Sequence, residues 1–368
     1  MSAGIFKMAF WQKLTPTTRL LGLLFLLLAA LNLWKLATYR PWDSLPLRLS
    51  YTDAHGYPVY SDSTEFLADG QRVTAVDRSF RGPIDSVTHG ARREYLGTWV
   101  SAGEIATRRL RFPNQLRVDY TSLAEGRSYR GLFPLPQRRL DSLLTGMQQH
   151  PERYTPLYAW NDGRGLKLQA CLAPGGLVLV RLLGEDYQVE VARFQAQPYP
   201  THWPKPPVYH DKVAYRSLPE LRRLLAHAER THLDSLPAVP LALWDTRRTR
   251  YAYCLRMLGP VQTYTLHVGY LNEDEEGLND TTQASCRLQP LPAYVRYVVS
   301  ASGFPHPYRH TLFDPTELRG AFAQLRRTAV PGEQVELQVV PTPARVRVYL
   351  KSRRQTIELT RTVTDTGL

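Results

Sequence analysis

The sequence predicts an α+β, mostly β fold, in which an N-terminal transmembrane helix precedes two related strand–helix–hairpin units with antiparallel sheets. Three observations predict it: an apolar stretch near the N-terminus, alternating strand patterns between turn residues, and an order of elements that occurs twice. The 28 prolines and 21 tyrosines suit short strands joined by stiff turns. The predicted divisions are 1–40 (tail and signal anchor), 41–200 (first unit), 201–240 (Pro-rich connection with one helix) and 241–368 (second unit).

The apolar stretch, residues 20–34, contains a single polar residue, Asn32. Extended through Lys35 to Tyr39 it reaches about 20 residues, the length that crosses a bilayer as a helix. Lys35 can extend to the headgroups, and Trp34 and Tyr39 suit the membrane interface. We therefore expect the lipid bilayer to be a partner of this chain through residues 20–39.

A cleaved signal peptide is the alternative, and it needs small residues at the −3 and −1 positions. Cleavage after Ala30 would place Leu28 at −3, and cleavage after Ala37 would place Lys35 there. An uncleaved signal anchor is therefore favoured.

Basic residues flank the apolar stretch about equally, so charge alone does not orient it in the membrane. They are Lys7, Lys13 and Arg19 before it, and Lys35, Arg40 and Arg48 after it. The commoner arrangement, a short tail inside and a large periplasmic body, is the one that we expect.

The formal net charge of +13 first suggests a nucleic-acid partner. However, the 39 arginines and 7 lysines are spread along the whole chain, and the densest clusters are Arg108–Arg109 with Arg111 and Arg247–Arg248 with Arg250. A nucleic-acid module usually shows a basic stripe and a recognisable motif, and neither occurs. We expect an arginine-rich surface and no nucleic-acid partner, with contact to an anionic membrane surface as a second possibility.

The three cysteines do not form a disulfide framework, and no CxxC pair exists. One bridge at most is possible, and Cys254 with Cys286 is the favoured pair. Cys171 lies in an apolar strand pattern, where a buried free thiol is expected.

The first unit has a strand, a helix and a hairpin in that order. Leu116, Val118 and Tyr120 alternate with polar residues, the period of a half-buried strand. After Pro136, apolar residues recur at helical spacing: Leu140, Leu143, Leu144 and Met147. Two apolar segments flank the turn 173–176, which is a hairpin signal, and 187–194 alternates again.

The second unit repeats this order. Residues 295–299 form a strand, Asp314 to Glu317 form a capping box, and 335–339 and 346–350 flank a turn. Tyr129 lies seven residues before Pro136, as Tyr308 does before Pro315, and Tyr129–Arg130 matches Tyr308–Arg309. These offsets favour an internal duplication.

In the connection, Ser217 caps a helix whose apolar face is Leu221, Leu224, Leu225 and Ala228.

Two segments carry a resemblance to a known family: PNQLRVDYTSLAEGRSYRGLFPLPQRRLDSLL at 113–144 and CLAPGGLVLVRLLGEDYQVEVARFQAQ at 171–197. They resemble the bacterial domain-of-unknown-function family 2931, whose members carry an "aPGG" turn, an apolar strand and an "evarfqA" strand. Many members look like envelope lipoproteins, so the resemblance implies an envelope location. This chain lacks the lipobox cysteine and has an apolar helix instead. The resemblance implies no reaction and no catalytic residue.

The acidic segment 272–280 is the sharpest local feature, with oxygens at alternate positions and a central glycine, as in a calcium loop. Asn272 replaces the first Asp, and Gln283 stands where a bidentate Glu should close the shell, so a solvated hairpin loop is favoured. The pairs His306 with His310 and His202 with His210 lack the helix and the nearby acid of a metalloprotease. We expect no metal site and no cofactor.

Candidate active residues are few. Ser122 with Glu125, and Ser300 with Ser302, can be named, but a hydrolase needs a base within hydrogen-bond reach of its nucleophile. The turn Pro174–Gly176 could present N–H groups to an anion, although a plain turn is favoured.

The pairs Tyr129–Arg130 and Tyr308–Arg309 are the candidate ligand-binding residues, because Tyr with Arg can hold a carboxylate, phosphate or sugar. The structural alternative, a packed Tyr and a solvent-facing Arg, is favoured. The function that we expect is binding or scaffolding at the cell envelope, with another envelope protein or a glycan as partner. The alternative is a hydrolase with a scattered site.

Overall fold

The computed structural model describes residues 15–38, 47–54, 56–79, 99–105, 112–149, 166–184, 187–200, 217–223, 225, 227–258, 263–278, 285–299, 308–328, 333–342 and 345–365. The chain divides into two compact units, Met1–Leu45 and Pro46–Leu368. The first contains the apolar helix, and the second is the body. The predicted division of the body near residues 200–240 is internal to this second unit and stays a prediction.

The N-terminal helix α1 (Pro16–Thr38) is apolar on all sides. It begins with Pro at its first position, where the missing N–H has no helical partner in any case. The Thr15 side chain accepts a hydrogen bond from the Thr18 N–H at 3.3 Å and caps the first turn. The stretch Pro16–Lys35 is long and apolar enough to cross a membrane, and none of it is buried. A single-pass anchor and a signal sequence both have this form.

The first half of the body contains ten strands and one long helix among its described residues. The strands are β1 (Arg48–Ala54), β2 (Val59–Ala68), β3 (Gln71–Ser79), β4 (Trp99–Ile105), β5 (Gln115–Ser122), β6 (Arg127–Pro134), β7 (Lys167–Leu172), β8 (Leu177–Leu183), β9 (Gln188–Gln195) and β10 (Gln197–Tyr199). Helix α2 (Gln137–Gln149) follows β6, and a 3₁₀ turn (Pro174–Gly176) joins β7 to β8.

The described part of the connection contains two short helices where the sequence predicted one, α3 (Leu218–Arg223) and α4 (His227–Ser235), and a third short helix, α5 (Leu243–Arg248), follows it. Tertiary packing explains the break after Arg223. The Arg222 guanidinium donates to the carbonyl oxygen of Leu123 at 2.7 and 3.0 Å. Leu225 is buried in a cluster with Tyr60, Leu123 and Leu233. These contacts with the first half take precedence over helix propensity.

The second half also contains ten strands and one long helix among its described residues. The strands are β11 (Arg250–Met257), β12 (Thr263–Tyr270), β13 (Glu275–Leu278), β14 (Ser285–Pro290), β15 (Pro292–Val299), β16 (Tyr308–Leu312), β17 (Glu336–Pro341), β18 (Val346–Lys351), β19 (Thr356–Leu359) and β20 (Val363–Asp365). Helix α6 (Pro315–Thr328) lies between β16 and β17. The mostly β fold with antiparallel sheets is thus confirmed.

The strands form three sheets. A ten-stranded sheet has the order β20-β16-β15-β12-β13-β9-β8-β7-β1-β4, and two five-stranded sheets have the orders β10-β6-β5-β2-β3 and β14-β11-β17-β18-β19. Neighbours pair antiparallel except β1 with β7 and β11 with β17, which are parallel. The ten-stranded sheet therefore contains five strands from each half, joined where β9 meets β13.

The strand order of the first half recurs in the second. The set β4-β1-β7-β8-β9 has the same order as β14-β11-β17-β18-β19, and β10-β6-β5-β2-β3 the same order as β20-β16-β15-β12-β13. The parallel pair occupies the same place in both sets. This agreement is what a duplication would leave, and the duplication itself stays a prediction that superposition of the two halves tests.

The core of the second half lies between its strands and α6. Leu318, Phe322 and Leu325 of α6 are buried against strand residues such as Leu337 and Leu350. The helix begins as the sequence predicts, because the Asp314 carboxylate accepts the N–H groups of Thr316 (3.0 Å) and Glu317 (2.7 Å). The amphipathic pattern therefore placed this helix and its buried face correctly.

Candidate functional site at the seam between the halves

The two halves meet at a seam, which we define as the β9–β13 edge with the side chains that cross it. Among the described residues, only Gln188 and Glu275 pair in the ladder between these strands. Side chains hold the rest of the seam together. They come from β8 and β9, from α5, and from the turn 271–274 between β12 and β13, which we call the acidic turn.

Arg181 is the central residue of the seam. It lies in the apolar strand β8 and is only 1% exposed. Its Nη1 donates to the Glu273 carboxylate at 3.0 Å, and its Nη2 donates to the Glu273 carbonyl oxygen. Burial acts to lower the pKa of Arg181, but Glu273 raises it, and the balance is a raised pKa. A buried guanidinium is tolerated only with such pairing, so Arg181 depends on the acidic turn of the other half.

Glu190 connects four elements. Its carboxylate accepts from Arg248 of α5 at 2.5 Å, and its N–H donates to the Asp274 carboxylate at 2.8 Å. Its carbonyl oxygen accepts from Arg139 of α2 at 2.7 Å. Burial raises the pKa of Glu190, while Arg248 opposes the rise. The backbone and the side chain of this residue therefore join α2, α5 and the acidic turn to β9.

The acidic turn is a hairpin, as predicted, but it is packed against the first half and not solvated. Glu273 has a φ of +67°, which non-glycine residues rarely adopt. Glu275 is 5% exposed and forms an ion pair with Arg296. The predicted solvated loop was therefore wrong, because Glu273 binds Arg181 of the first half, a partner that no pattern near residues 272–280 identifies. Residues 279–284, including Gln283, lie outside the described residues.

A small pocket opens beside these ion pairs. Its lining comprises Leu179, Glu190, Trp244, Arg247, Arg248, Leu271, Asn272 and Glu273. Its cavity volume is about 10 Å³, close to the minimum that one water molecule needs. Burial lowers the pKa of Arg247. The acidic and basic groups of the lining largely bind one another, so this arrangement suits a structural joint better than a substrate site.

Among the sequence-predicted ligand-binding residues, Tyr129 is buried and engaged. Its hydroxyl donates to the Glu125 carboxylate at 3.0 Å. The Gly175 N–H donates to the same Glu125 carboxylate oxygen at 2.8 Å. Burial raises the pKa of Tyr129 to about 12, and Glu125 adds to the rise. The turn 174–176 does present an N–H group to an anion, as the sequence suggested, but the anion is the protein's own Glu125.

Arg130 and Arg309 are not equivalent in the structure. Arg130 is exposed and binds the Asp119 carboxylate, its cross-strand partner, at 2.8 Å. Arg309 instead pairs with Tyr297, which is 1% exposed, and directly paired residues share one face of a sheet. The Tyr308 side chain lies outside the described part.

Arg130 and Arg309 differ because α2 and α6 do not begin at equivalent distances from them. The Leu140 N–H bonds to the Pro136 carbonyl, whereas the Leu318 N–H bonds to the Asp314 carbonyl. Pro136 therefore corresponds to Asp314 and not to Pro315, which shifts the preceding strand by one residue. A shift of one residue moves a side chain to the other face of its sheet. The equal spacing of the two Tyr–Arg pairs is thus a coincidence of sequence, and ligand binding by them stays a prediction.

The other candidate residues form no reactive group in the described part of the chain. Ser122 is fully buried, and its Oγ accepts the Glu125 N–H at 3.4 Å, which is a turn contact. Across the described ranges, no group of three or more His, Cys, Asp or Glu residues is arranged to hold a metal ion. Ser300, Ser302, His202, His210 and His306 lie outside those ranges.

Cys254 and Cys286 form a disulfide, the pairing that the sequence favoured. They lie directly opposite each other on β11 and β14, with Cα atoms 4.0 Å apart. Cys171 is a free, fully buried cysteine, and burial raises its pKa. Its thiol is therefore unreactive at neutral pH.

Sequence reasoning missed the seam, although one signal was available. Arg181 interrupts the otherwise apolar run Leu177–Leu183 of β8. A cation in a strand that is buried on both faces requires a buried partner. In the sequence, Arg247 and Arg248 form only a basic cluster, because the identity of their partners depends on how the halves meet.

Comparison with known proteins gives one result. No curated protein and no solved structure matches the chain. The family model described as "Protein of unknown function (DUF2931)" matches residues 45–220. This segment contains the strands of the first half, the turn 174–176 and the start of the connection. Over residues 45–220, just under half of the chain, the sequence therefore matches the DUF2931 family of proteins of unknown function.

Proposed function

We propose that the protein is a single-pass membrane protein whose body lies on the oxidising side of the membrane, in the periplasm, and binds or scaffolds another envelope component. That component is an envelope protein or a glycan. The observation that carries the proposal is that one chain contains both an exposed apolar helix and a separate compact body with a disulfide.

The anchor is supported by the exposure of α1. The stretch Pro16–Lys35 is apolar, and 0% of it is buried. A free apolar helix of this length is unfavourable in water, since each buried methylene group stabilises by about 0.8 kcal/mol. Insertion into hydrocarbon removes its apolar side chains from water, and its backbone needs no outside partner because the hydrogen bonds of a helix are internal.

The side of the membrane is supported by the Cys254–Cys286 bond. Structural disulfides form in oxidising compartments and are rare in the cytosol. The bridge also joins two adjacent strands within one sheet, so it belongs to the folded body. A body that folds with this bond is expected outside the cytoplasm.

A binding role is supported over catalysis by the chemistry of the seam. The pocket there has room for about one water molecule, and Glu190 and Glu273 are held by Arg248 and Arg181. The predicted hydrolase alternative draws no support from Ser122, which is buried at the end of β5 and whose hydroxyl oxygen accepts the Glu125 N–H.

Thiol labelling of the full-length protein in its own cells tests the location. Cells are quenched with acid, and the protein is alkylated with a maleimide–polyethylene glycol before and after reduction. We expect two additional labels after reduction, and none in the Cys254→Ser/Cys286→Ser variant. Labelling of Cys254 and Cys286 without reduction would place the body in a reducing compartment and contradict the proposal.

Binding is tested with the purified protein in lipid nanodiscs. Purified cell-wall glycan is the first probe, in a sedimentation assay with heat-unfolded protein as the control. Cross-linking to envelope proteins in intact cells is the second. Saturable binding of the folded protein alone supports the proposal, and a folded protein that binds neither class contradicts it.

A further inference from the structure

Asn32 is a polar residue within an apolar, uncovered helix. Its Nδ2 donates to the Leu28 carbonyl oxygen at 2.9 Å, within α1. A side-chain amide has two N–H donors and an oxygen acceptor. The second N–H and the oxygen have no hydrogen-bond partner among the described residues. An unsatisfied polar group is costly in hydrocarbon, so a membrane-inserted α1 gains from any neighbour that supplies a matching amide.

Two small residues of α1 lie on the same face as Asn32. Gly22 and Ala29 are seven residues apart, and Asn32 follows three residues later, as do the a and d positions of a heptad. Phe25 lies on the same face, between Gly22 and Ala29. Small residues allow two helix backbones to approach closely in lipid, and Asn side chains hydrogen-bond across such contacts.

We propose that α1 pairs in the membrane with α1 of a second copy, in a parallel two-fold arrangement, through the face of Gly22, Phe25, Ala29 and Asn32. The two Asn32 amides exchange hydrogen bonds reciprocally. A second copy is the occupant because it carries the same amide at the same depth, which a two-fold axis requires. This proposal rests on the membrane anchoring proposed above.

Disulfide cross-linking of the full-length protein in lipid vesicles tests the pairing. Phe25→Cys lies on the proposed face, and Leu27→Cys, two residues further on, lies on the other side of the helix. The native cysteines do not interfere, because Cys171 is buried and the other two are paired. After oxidation we expect a cross-linked dimer from Phe25→Cys and none from Leu27→Cys.

A second substitution tests the role of the amide. Asn32→Leu in the Phe25→Cys background is expected to reduce the cross-linked fraction about threefold to tenfold, the range for one interhelical polar contact. Leu24→Ile, which lies off the face, is the matched control and should leave the fraction unchanged. Asn32→Leu raises the apolarity of the helix, so a loss of dimer cannot come from loss of insertion.

Carbonate extraction of the same vesicles separates the two proposals. Protein that resists extraction but cross-links equally at both positions, or at neither, overturns the pairing and leaves the anchor intact. Protein that resists extraction and cross-links at position 25 regardless of Asn32 also overturns the pairing as stated. Protein released by carbonate overturns the anchor and the pairing together.

Discussion

The Arg181 guanidinium of the first half and the Glu273 carboxylate of the second lie 3.0 Å apart across the seam. The Arg181 side chain is 2% exposed and the Glu273 side chain 20% exposed. The pair is separated by 92 residues in sequence. It therefore joins the two halves through chemistry that neither half contains alone.

Removal of one partner of this pair should strongly destabilise the body. Arg181→Met leaves the Glu273 carboxylate without its cation, and loss of one member of a buried pair costs about 3–5 kcal/mol. The double variant Arg181→Met/Glu273→Gln should cost less than the sum of the two single variants, because it removes both charges. Thermal unfolding of the full-length protein in detergent, followed by near-UV circular dichroism, measures the difference.

An exposed ion pair of the first half provides the control. Arg117 contacts Glu65 at 3.0 Å, but its side chain is 50% exposed. Arg117→Gln is expected to cost less than about 1 kcal/mol. If Arg181→Met and Arg117→Gln lowered the unfolding free energy equally, the Arg181–Glu273 pair would not be a principal contact between the halves.

The turn 174–176 yields a second prediction. Gly176 has a φ of +76°, and a Cβ atom there would lie 2.5 Å from the Ala196 carbonyl oxygen and 2.9 Å from Tyr129 Cδ1. Gly176→Ala therefore combines backbone strain with a steric clash, and should cost more than the roughly 1 kcal/mol of strain alone.

Gly70→Ala is the matched control for the clash. Gly70 also has a φ of +76°, but nothing lies within 4 Å of the Cβ position. The difference between the two variants in unfolding free energy isolates the contact with Ala196 and Tyr129. If both variants lost the same unfolding free energy, the residues around Gly176 would move to accommodate the added Cβ atom without destabilising the fold.

The local elements could be predicted from the sequence, and the way in which the halves meet could not. The hairpin around Gly175 and the capped helix after Asp314 follow from residues close in sequence, whose turn and capping chemistry is local. The seam depends on Arg181 meeting Glu273, and no local pattern specifies a partner so far away. The Tyr–Arg match failed for a local reason. Its spacing in the second half runs to Pro315, one residue past Asp314, the equivalent of Pro136, so it matches the two strands one residue out of register.

A third prediction concerns alkaline pH. Burial and the Glu125 carboxylate raise the pKa of Tyr129 to about 12, above the value of about 10 for an unfolded tyrosine. The folded state therefore holds the phenolic proton more tightly. The stabilisation from this group is complete below pH about 10 and is lost as the pH rises towards 12.

Glu125→Gln removes the negative charge that disfavours the phenolate. The pKa of Tyr129 should fall in this variant, and the loss of stability should begin at a lower pH. Tyrosine Cζ chemical shifts in a ¹³C-labelled sample measure the titration, with Glu358→Gln on β19 as a control. An unchanged titration of Tyr129 would show that burial alone sets its pKa.

The disulfide gives the last prediction. Cys254 and Cys286 close a loop with a sequence separation of 32. In the chain-entropy model, a loop of this size stabilises the fold by about 3–4 kcal/mol, because it restricts the unfolded chain. Cys254→Ser/Cys286→Ser should lower the unfolding free energy by about this amount, and a reductant should lower the Tm of the native protein but not that of the variant. The seam lies in another sheet, so the double substitution should leave the effect of Arg181→Met nearly unchanged. A strongly non-additive result would show instead that the two sheets of the second half unfold as one unit with the seam.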